Sequence, residues 1–420
     1  EQGRLIEALQ KRQSELSEEN ETLRDCLESL GLLCGQAFQC KLHKRRFQRV
    51  LSEHPLSYSH QSSTLEGIIS TSELALAIAS FSGPQSVRPM LLASSITARG
   101  VRAATPELDA LFPCSMYIIG GAFSSTHKPL RNVERFSPNT CLTEQRAVLL
   151  TPRAVCAIVP CGDAIYAIAG RGCEGALSTV ECYHPSRDIW LPAPRLQACS
   201  GWVAATGAWS GICVTGGENE YVDLLDAVEY LKPEIGSWVR LPRMHRRRWA
   251  AAATTVADIA FVAGGYGSSS SGDEVLADFE CLALGSEEWQ RLPPLKSPRA
   301  AFAMAAVSGR IYAVGGYGEQ DQPLQSVERF DLHTGCWEAV TPLVLPLGAL
   351  SAAGCGGKLY VFGGATGPSD SGQGAIHCFD PHEGRWKSRG CLRNARRCCA
   401  AAAFRSSIDP EFSGHHVLGA

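Results

Sequence analysis

From residue 114 to about residue 404 the hydrophobic positions come in short alternating runs, each closed by a pair of small residues. The runs are MYIIGG ending at Gly121, IYAIAG at Gly170, ICVTGG at Gly217, IAFVAGG at Gly265, IYAVGG at Gly316 and LYVFGG at Gly364. The first residue of each pair is Gly120, Ala169, Gly216, Gly264, Gly315 and Gly363, at intervals of 49, 47, 48, 51 and 48. β-Branched and aromatic residues alternating over five or six positions predict strands, and their return at one period predicts a repeat architecture. Ahead of each diglycine lies a small-residue run such as RWAAAATTV (248–256) or RAAFAMAAV (299–307). Alanine propensity alone would make these runs helical. Too few residues separate them from the next strand for that, so they are predicted as strands too, giving four short strands per unit.

Two further markers keep the same period. The tetrapeptides starting at Val133, Val180, Val228, Phe279, Val327 and Ile376 place Glu134, Glu181, Glu229, Glu280 and Glu328 at one register, with His377 in the sixth unit. A lone tryptophan follows at Trp190, Trp238, Trp289, Trp337 and Trp386, with Leu142 in that place in the first unit. One glutamate per repeat is what a hydrogen bond or arginine pair inside each unit would produce, so these acids are read as structural rather than as a catalytic ring.

The triple marker of diglycine, glutamate near an aromatic and tryptophan resembles the kelch motif and covers residues 114–404. The resemblance implies an all-β, six-bladed kelch-type β-propeller with four antiparallel strands per blade. The repeats fall at about 114–152, 153–198, 199–246, 247–297, 298–345 and 346–395. A unit of this size cannot bury both faces alone, so neighbouring blades must pack around an axis. The diglycines are expected where a strand turns in crowded space that excludes a Cβ and demands positive φ, and the tryptophans between blades. The run RRCCAAAAF (396–404) has no following unit to serve, while no matching run precedes MYIIGG. Residues 396–404 are therefore expected to close the ring by pairing with 116–121. Residues 405–420 read either as a tail or, from Val417 to Ala420, as a truncated further repeat.

Residues 1–50 follow a different pattern. Leu9, Leu16, Leu23 and Leu30 recur every seven positions, with Ile6, Gln13, Asn20 and Leu27 on the companion seam, before Gly31. This a/d heptad predicts a coiled-coil-like helix that pairs two copies of the chain through residues 1–30, the alternative being a solitary amphipathic helix. Its basic end, KLHKRRFQR (41–49), reads as a solvated face. Residues 51–113 are Ser- and Ala-rich, a linker or small helical segment with one helix-like run from Leu65 to Phe81.

With 39 Lys+Arg against 42 Asp+Glu the chain's formal charge is −3, which supplies no basic field for nucleic acid. The 18 cysteines form no CxxC pair and no His/Cys metal spacing; they read as reduced thiols of a cytoplasmic protein, with Cys398 and Cys399 as alternating strand residues. The longest uncharged stretch, Leu196–Gly217, holds five glycines, so no membrane span is expected. Nucleophile elbows, HExxH pairs and phosphate-binding loops are absent from the sequence, and neither cofactor nor metal is expected. The resemblance does leave an enzyme alternative, because copper radical oxidases and sugar isomerases share kelch-type propellers.

The expected function is a non-catalytic protein–protein interaction scaffold. Its partner face would be built by loops of uneven length, at 122–130, 218–225, 266–274, 317–324 and 365–374. The residue sixteen before the diglycine is expected to open the innermost strand; it is Arg153, Arg248 and Arg299 in units two, four and five, Ser200 and Leu347 in units three and six, and Arg396 holds the place in the closing strand. In the kelch proteins that this chain resembles, arginines there and directly after the diglycine line the substrate pocket. Arg171 matches the second place, and Tyr266 and Tyr317 stand directly after diglycines. These residues are expected to bind a protein partner, an acidic or phosphorylated peptide being suited to arginine forks. The other reading is that each arginine pairs with an acid of its own blade. The resemblance also implies a role as substrate-recognition subunit of a cullin-type ubiquitin ligase. That role needs a BTB domain and its helical companion ahead of the propeller; the roughly 60 residues between the basic segment and the first blade are too short for both, so it would depend on sequence upstream.

Overall fold

The computed structural model describes residues 114–405 apart from 124–127, 199–200, 220, 222, 234, 270–271, 284, 333, 368–369 and 371. The heptad segment 1–30, the segment 51–113 and residues 406–420 lie outside the described residues.

Among the described residues, six four-stranded antiparallel sheets form the blades, with three two-stranded hairpins beside them. Blade two is representative, with inner strand Ala157–Cys161, then Ala164–Ile168, Val180–His184 and the outer Ile189–Ala193. The alanine-rich runs are the inner strands, for example Ala252–Val256 and Ala303–Val307, and contacts between neighbouring inner strands run all the way round the ring. Tertiary pairing therefore overrides helix propensity. The inner strands begin about four residues after the arginine register, at Ala157, Ala252 and Ala303 rather than at Arg153, Arg248 and Arg299. Those arginines sit instead in the segment that leads from the previous blade into the strand.

Closure is made by the last strand. Ala400–Phe404 pairs with Ser115–Ile119 in the register Ser115 with Phe404 through Ile119 with Ala400, so blade one takes its inner strand from the far end of the chain and becomes four-stranded like the other five.

Six apolar clusters fill the six gaps between blades. In five gaps the outer-strand tryptophan also donates its indole N–H to a carbonyl of the preceding blade. The acceptors are Ala147 O for Trp190, Pro194 O for Trp238, Pro242 O for Trp289, Pro293 O for Trp337 and Thr341 O for Trp386, at 2.8 to 3.0 Å. Between blades six and one Leu142 is 64% exposed, and the staple is replaced by Arg393 Nε to Thr143 O at 3.2 Å.

The diglycines meet the predicted constraint. At Gly264 (φ 58°) an added Cβ would lie 2.3 Å from the Arg299 carbonyl oxygen, and Gly265 N donates to that same oxygen at 2.9 Å. Gly120, Gly216 and Gly315 face the carbonyls of Arg153, Arg248 and Leu347 in the same way. Each diglycine thus receives the lead-in segment of the next blade.

Candidate partner-binding mouth

The lead-in segments and the loops after the diglycines share one end of the ring. There the four registered arginines are fully enclosed. Arg153, Arg248 and Arg299 bond to Glu181, Glu280 and Glu328 of their own blades at 2.5, 2.6 and 2.5 Å, and Arg396 bonds to Glu134. The second guanidinium nitrogen of Arg299 donates to Gly315 O at 2.8 Å and Ser326 O at 3.1 Å, and the other three repeat this pattern. All four arginines have 0% exposure. Burial pulls Arg248 and Arg299 below the usual arginine pKa, while the paired Glu280 and Glu328 carboxylates push back.

The glutamates complete a clamp. Glu328 accepts the backbone N–H groups of Lys296 and Ser297 at 2.8 and 3.0 Å, and Glu181 those of Leu150 and Thr151 at 2.7 and 3.0 Å. Each acid therefore fixes the lead-in segment, and each arginine ties that acid to the diglycine carbonyl. In blade six both members change together, to Leu347 and His377, and Leu347 packs at 1% exposure. Replacing both charges avoids stranding either one in that blade, whereas blade three has Ser200 at the arginine register and keeps the buried Glu229, which accepts the N–H groups of Gln197 and Ala198. This geometry is the in-blade pairing, and it removes Arg153, Arg248, Arg299 and Arg396 from the mouth's surface.

The residues after the diglycines are placed otherwise. They bridge the residue that follows the arginine register, Arg171 to Ala154, Glu218 to Gly201, Tyr266 to Trp249 and Tyr317 to Ala300. One residue on, Val155, Trp202, Ala250, Ala301, Ala349 and Cys398 all have φ between 46° and 56°. Their backbones link blade to blade around the axis. Val155 N donates to Cys398 O, Cys398 N to Ala349 O, Ala349 N to Ala301 O, Ala301 N to Ala250 O and Ala250 N to Trp202 O, at 2.8 to 3.1 Å. Left-handed conformation costs a non-glycine residue about 1–2 kcal/mol, most for β-branched Val155. The interblade bonds offset part of that cost and fix the mouth's diameter.

Around this ring lies an aromatic run. Trp249 stacks on Tyr266 with centroids 4.7 Å apart, and Trp202 meets Trp249 edge-on at 5.0 Å. The Tyr266 hydroxyl donates to Asp321 Oδ1 at 2.7 Å; burial first, then that bond, raises its pKa. Tyr317 covers Gly348, where a Cβ would fall 2.2 Å from its ring. All four rings are half-buried. Arg171 has 47% of its side chain exposed and bonds to Glu218 at 3.0 Å; burial pushes that carboxyl up and Arg171 pulls it back. Of the residues expected at a partner surface, the structure thus brings Arg171, Tyr266 and Tyr317 to the mouth. Trp202, Trp249 and Asp321 join them. Their signal in the sequence was two tryptophans interrupting small-residue runs just past the arginine register.

Among the described residues, no group of three or more His, Cys, Asp or Glu side chains is arranged to hold a metal ion, and no helix is long and apolar enough to cross a membrane.

A closed ring of four-stranded blades, with the repeat's charged pair buried and its uneven loops gathered at one mouth, defines a β-propeller of the repeat class. Profiles described as "Kelch motif" match residues 152–197, 298–344 and 346–393. The chain therefore carries kelch motifs, matched in three of its six blades. It is 29% identical over 157 residues to Kelch-like protein 26 of Danio rerio, covering 36% of this chain and 25% of that one. It is 30% identical over 160 residues to Kelch-like protein 35 of Mus musculus, covering 37% and 26%, and 28% identical over 167 residues to Beta-scruin of Limulus polyphemus, covering 37% and 18%. The chain spans about a quarter or less of the length of these relatives.

Proposed function

We propose that this protein is a non-catalytic interaction scaffold that holds a protein partner at the propeller mouth. The observation that carries this reading is the half-buried aromatic run Trp202, Trp249, Tyr266 and Tyr317, set on the interblade ring and framed by loops that break the repeat. Aromatic side chains offer large, stiff contact area and dominate interface energetics. Arg171 adds a charged fork at the rim. The test is affinity capture with the full chain as bait, comparing wild type with Trp249→Ala/Tyr317→Ala and with Ile235→Asp, a 68% exposed turn residue at the opposite end. The reading expects partners common to wild type and Ile235→Asp to vanish with the mouth variant. Loss with Ile235→Asp alone overturns it.

The similarity to Kelch-like proteins supports a finer reading, recognition of substrates for a cullin-type ubiquitin ligase. Co-purification of a cullin with the full-length protein tests that role separately.

A further inference from the structure

Resting on the proposed function, a further observation concerns which partner the mouth takes. With the four registered arginines tied to their own glutamates, Arg171 is the one expected arginine left at the surface, and it is itself paired with Glu218. The loops after the diglycines of blades three to six, 218–225, 266–276, 317–324 and 365–374, contain eight Asp and Glu and not one Lys, Arg or His. Some of that charge is answered locally. Arg171 pairs with Glu218, and Arg246 with Glu274 at 2.8 Å. Asp273, Glu319, Asp321 and Asp370 form no ion pair among the described residues, and the first three are exposed. Asp370 stays ionised because burial, which raises it, is outweighed by bonds from Thr366 N, the Gln373 amide, the Thr366 hydroxyl and Gly372 N, which hold it at about 2.

These acids flank the rings. Asp321 accepts from Tyr266, and Asp321 and Asp370 both act on Tyr317. The cations set against this region are Arg246, bonded to Glu274 at 2.8 Å and near Asp278 at 3.6 Å, and Arg397, which is 4% exposed beside Tyr317; Lys296 is exposed on the segment that leads into blade five. Two exposed apolar residues, Val344 at 65% and Leu345 at 44%, stand on the segment between blades five and six. An aromatic floor ringed by unpaired carboxylates suits a long cationic side chain, whose methylenes lie on the rings while its head meets the acids.

We propose that the blade four-to-six side of the mouth binds a basic, Lys/Arg-bearing peptide segment of a partner protein. Complementary charge of this kind sets which partner is accepted and how fast it is captured, and it makes binding salt-sensitive.

The experiment selects a random 12-residue phage-displayed peptide library on the full chain, then measures chosen peptides by fluorescence anisotropy. Exposed Asp273 and Glu319 allow a charge-reversed variant, Asp273→Lys/Glu319→Lys, and a milder neutral one, Asp273→Asn/Glu319→Gln. Selected peptides are expected to be net positive and to weaken about tenfold against the reversed variant, less against the neutral one, and further with rising salt. Enrichment of neutral or acidic peptides that still need Trp249 overturns the charge assignment and leaves the scaffold reading standing. Absence of enrichment, or peptides indifferent to Trp249→Ala, overturns both.

Discussion

Arg299 is the clearest place to test whether the registered arginines are internal struts. Its guanidinium is fully buried, bonded to Glu328 at 2.5 Å and to the carbonyls of Gly315 and Ser326. Arg299→Leu leaves the Glu328 carboxylate, itself 2% exposed, with only two backbone N–H donors. Breaking a buried pair from one side costs about 3–5 kcal/mol, and the orphaned Gly315 carbonyl adds about 1 kcal/mol, while Ser326 O keeps its bond from Gly315 N. Glu328→His alone should cost less, because it strands the arginine but keeps its carbonyl bonds. The double variant copies blade six, where Leu347 and His377 occupy these registers. It should recover about 2 kcal/mol relative to the sum of the single changes, since neither charge is left unpaired. Denaturant unfolding of wild type, both single variants and the double gives this coupling directly. Additive effects, within about 0.5 kcal/mol, would refute the clamp as the source of the arginines' burial.

Four other outcomes follow from the geometry. Gly264→Ala should destabilise by several kcal/mol, of order 3, because its Cβ would meet the Arg299 carbonyl oxygen at 2.3 Å and the Phe302 ring at 2.7 Å; Ala301→Gly, at φ 46°, should be neutral or mildly stabilising by thermal melting, since relief of left-handed strain offsets glycine's entropy. Deletion from Arg396 onward removes both the strand paired with Ser115–Ile119 and the partner of buried Glu134, so calorimetry should show loss of a single cooperative transition; an unchanged melt would contradict ring closure. Asp370, held at about 2 against an ordinary 3.8, contributes its stability above about pH 4 and loses it as pH falls towards 2; the melting difference between wild type and Asp370→Asn should shrink over that window, and a constant difference would count against the hydrogen-bonded carboxylate.

The repeat was legible because three markers answer to forces that act in every blade. The diglycine reflects a steric demand, Gly264 against Arg299 O, and tryptophan a gap with a carbonyl to meet, Trp337 against Pro293 O. Closure was legible for the same reason, since 396–404 carried an inner-strand pattern with no unit to serve. The arginine register was visible too, but equal height around an axis does not say which way a side chain points. In-blade glutamates at matching register, and their joint loss at Leu347 and His377, were the available clue to inward pairing. The left-handed ring could not be read, because Val155, Ala301 and Cys398 carry no signature of positive φ. The mouth aromatics were partly hidden because Trp202 and Trp249 lie inside runs whose period is set by small residues.

Arg248 and Trp249 are adjacent in sequence, yet one is an enclosed strut and the other a half-buried ring at the mouth. The most direct test of the account measures melting temperature and partner capture together for Arg248→Met and Trp249→Ser. Arg248→Met is predicted to lower the melting temperature by about 10 °C while the folded protein still captures its partner. Trp249→Ser is predicted to melt much closer to wild type and to lose capture. If Arg248→Met keeps its stability and loses the partner, while Trp249→Ser captures normally, the arginines are the binding surface and the account is wrong.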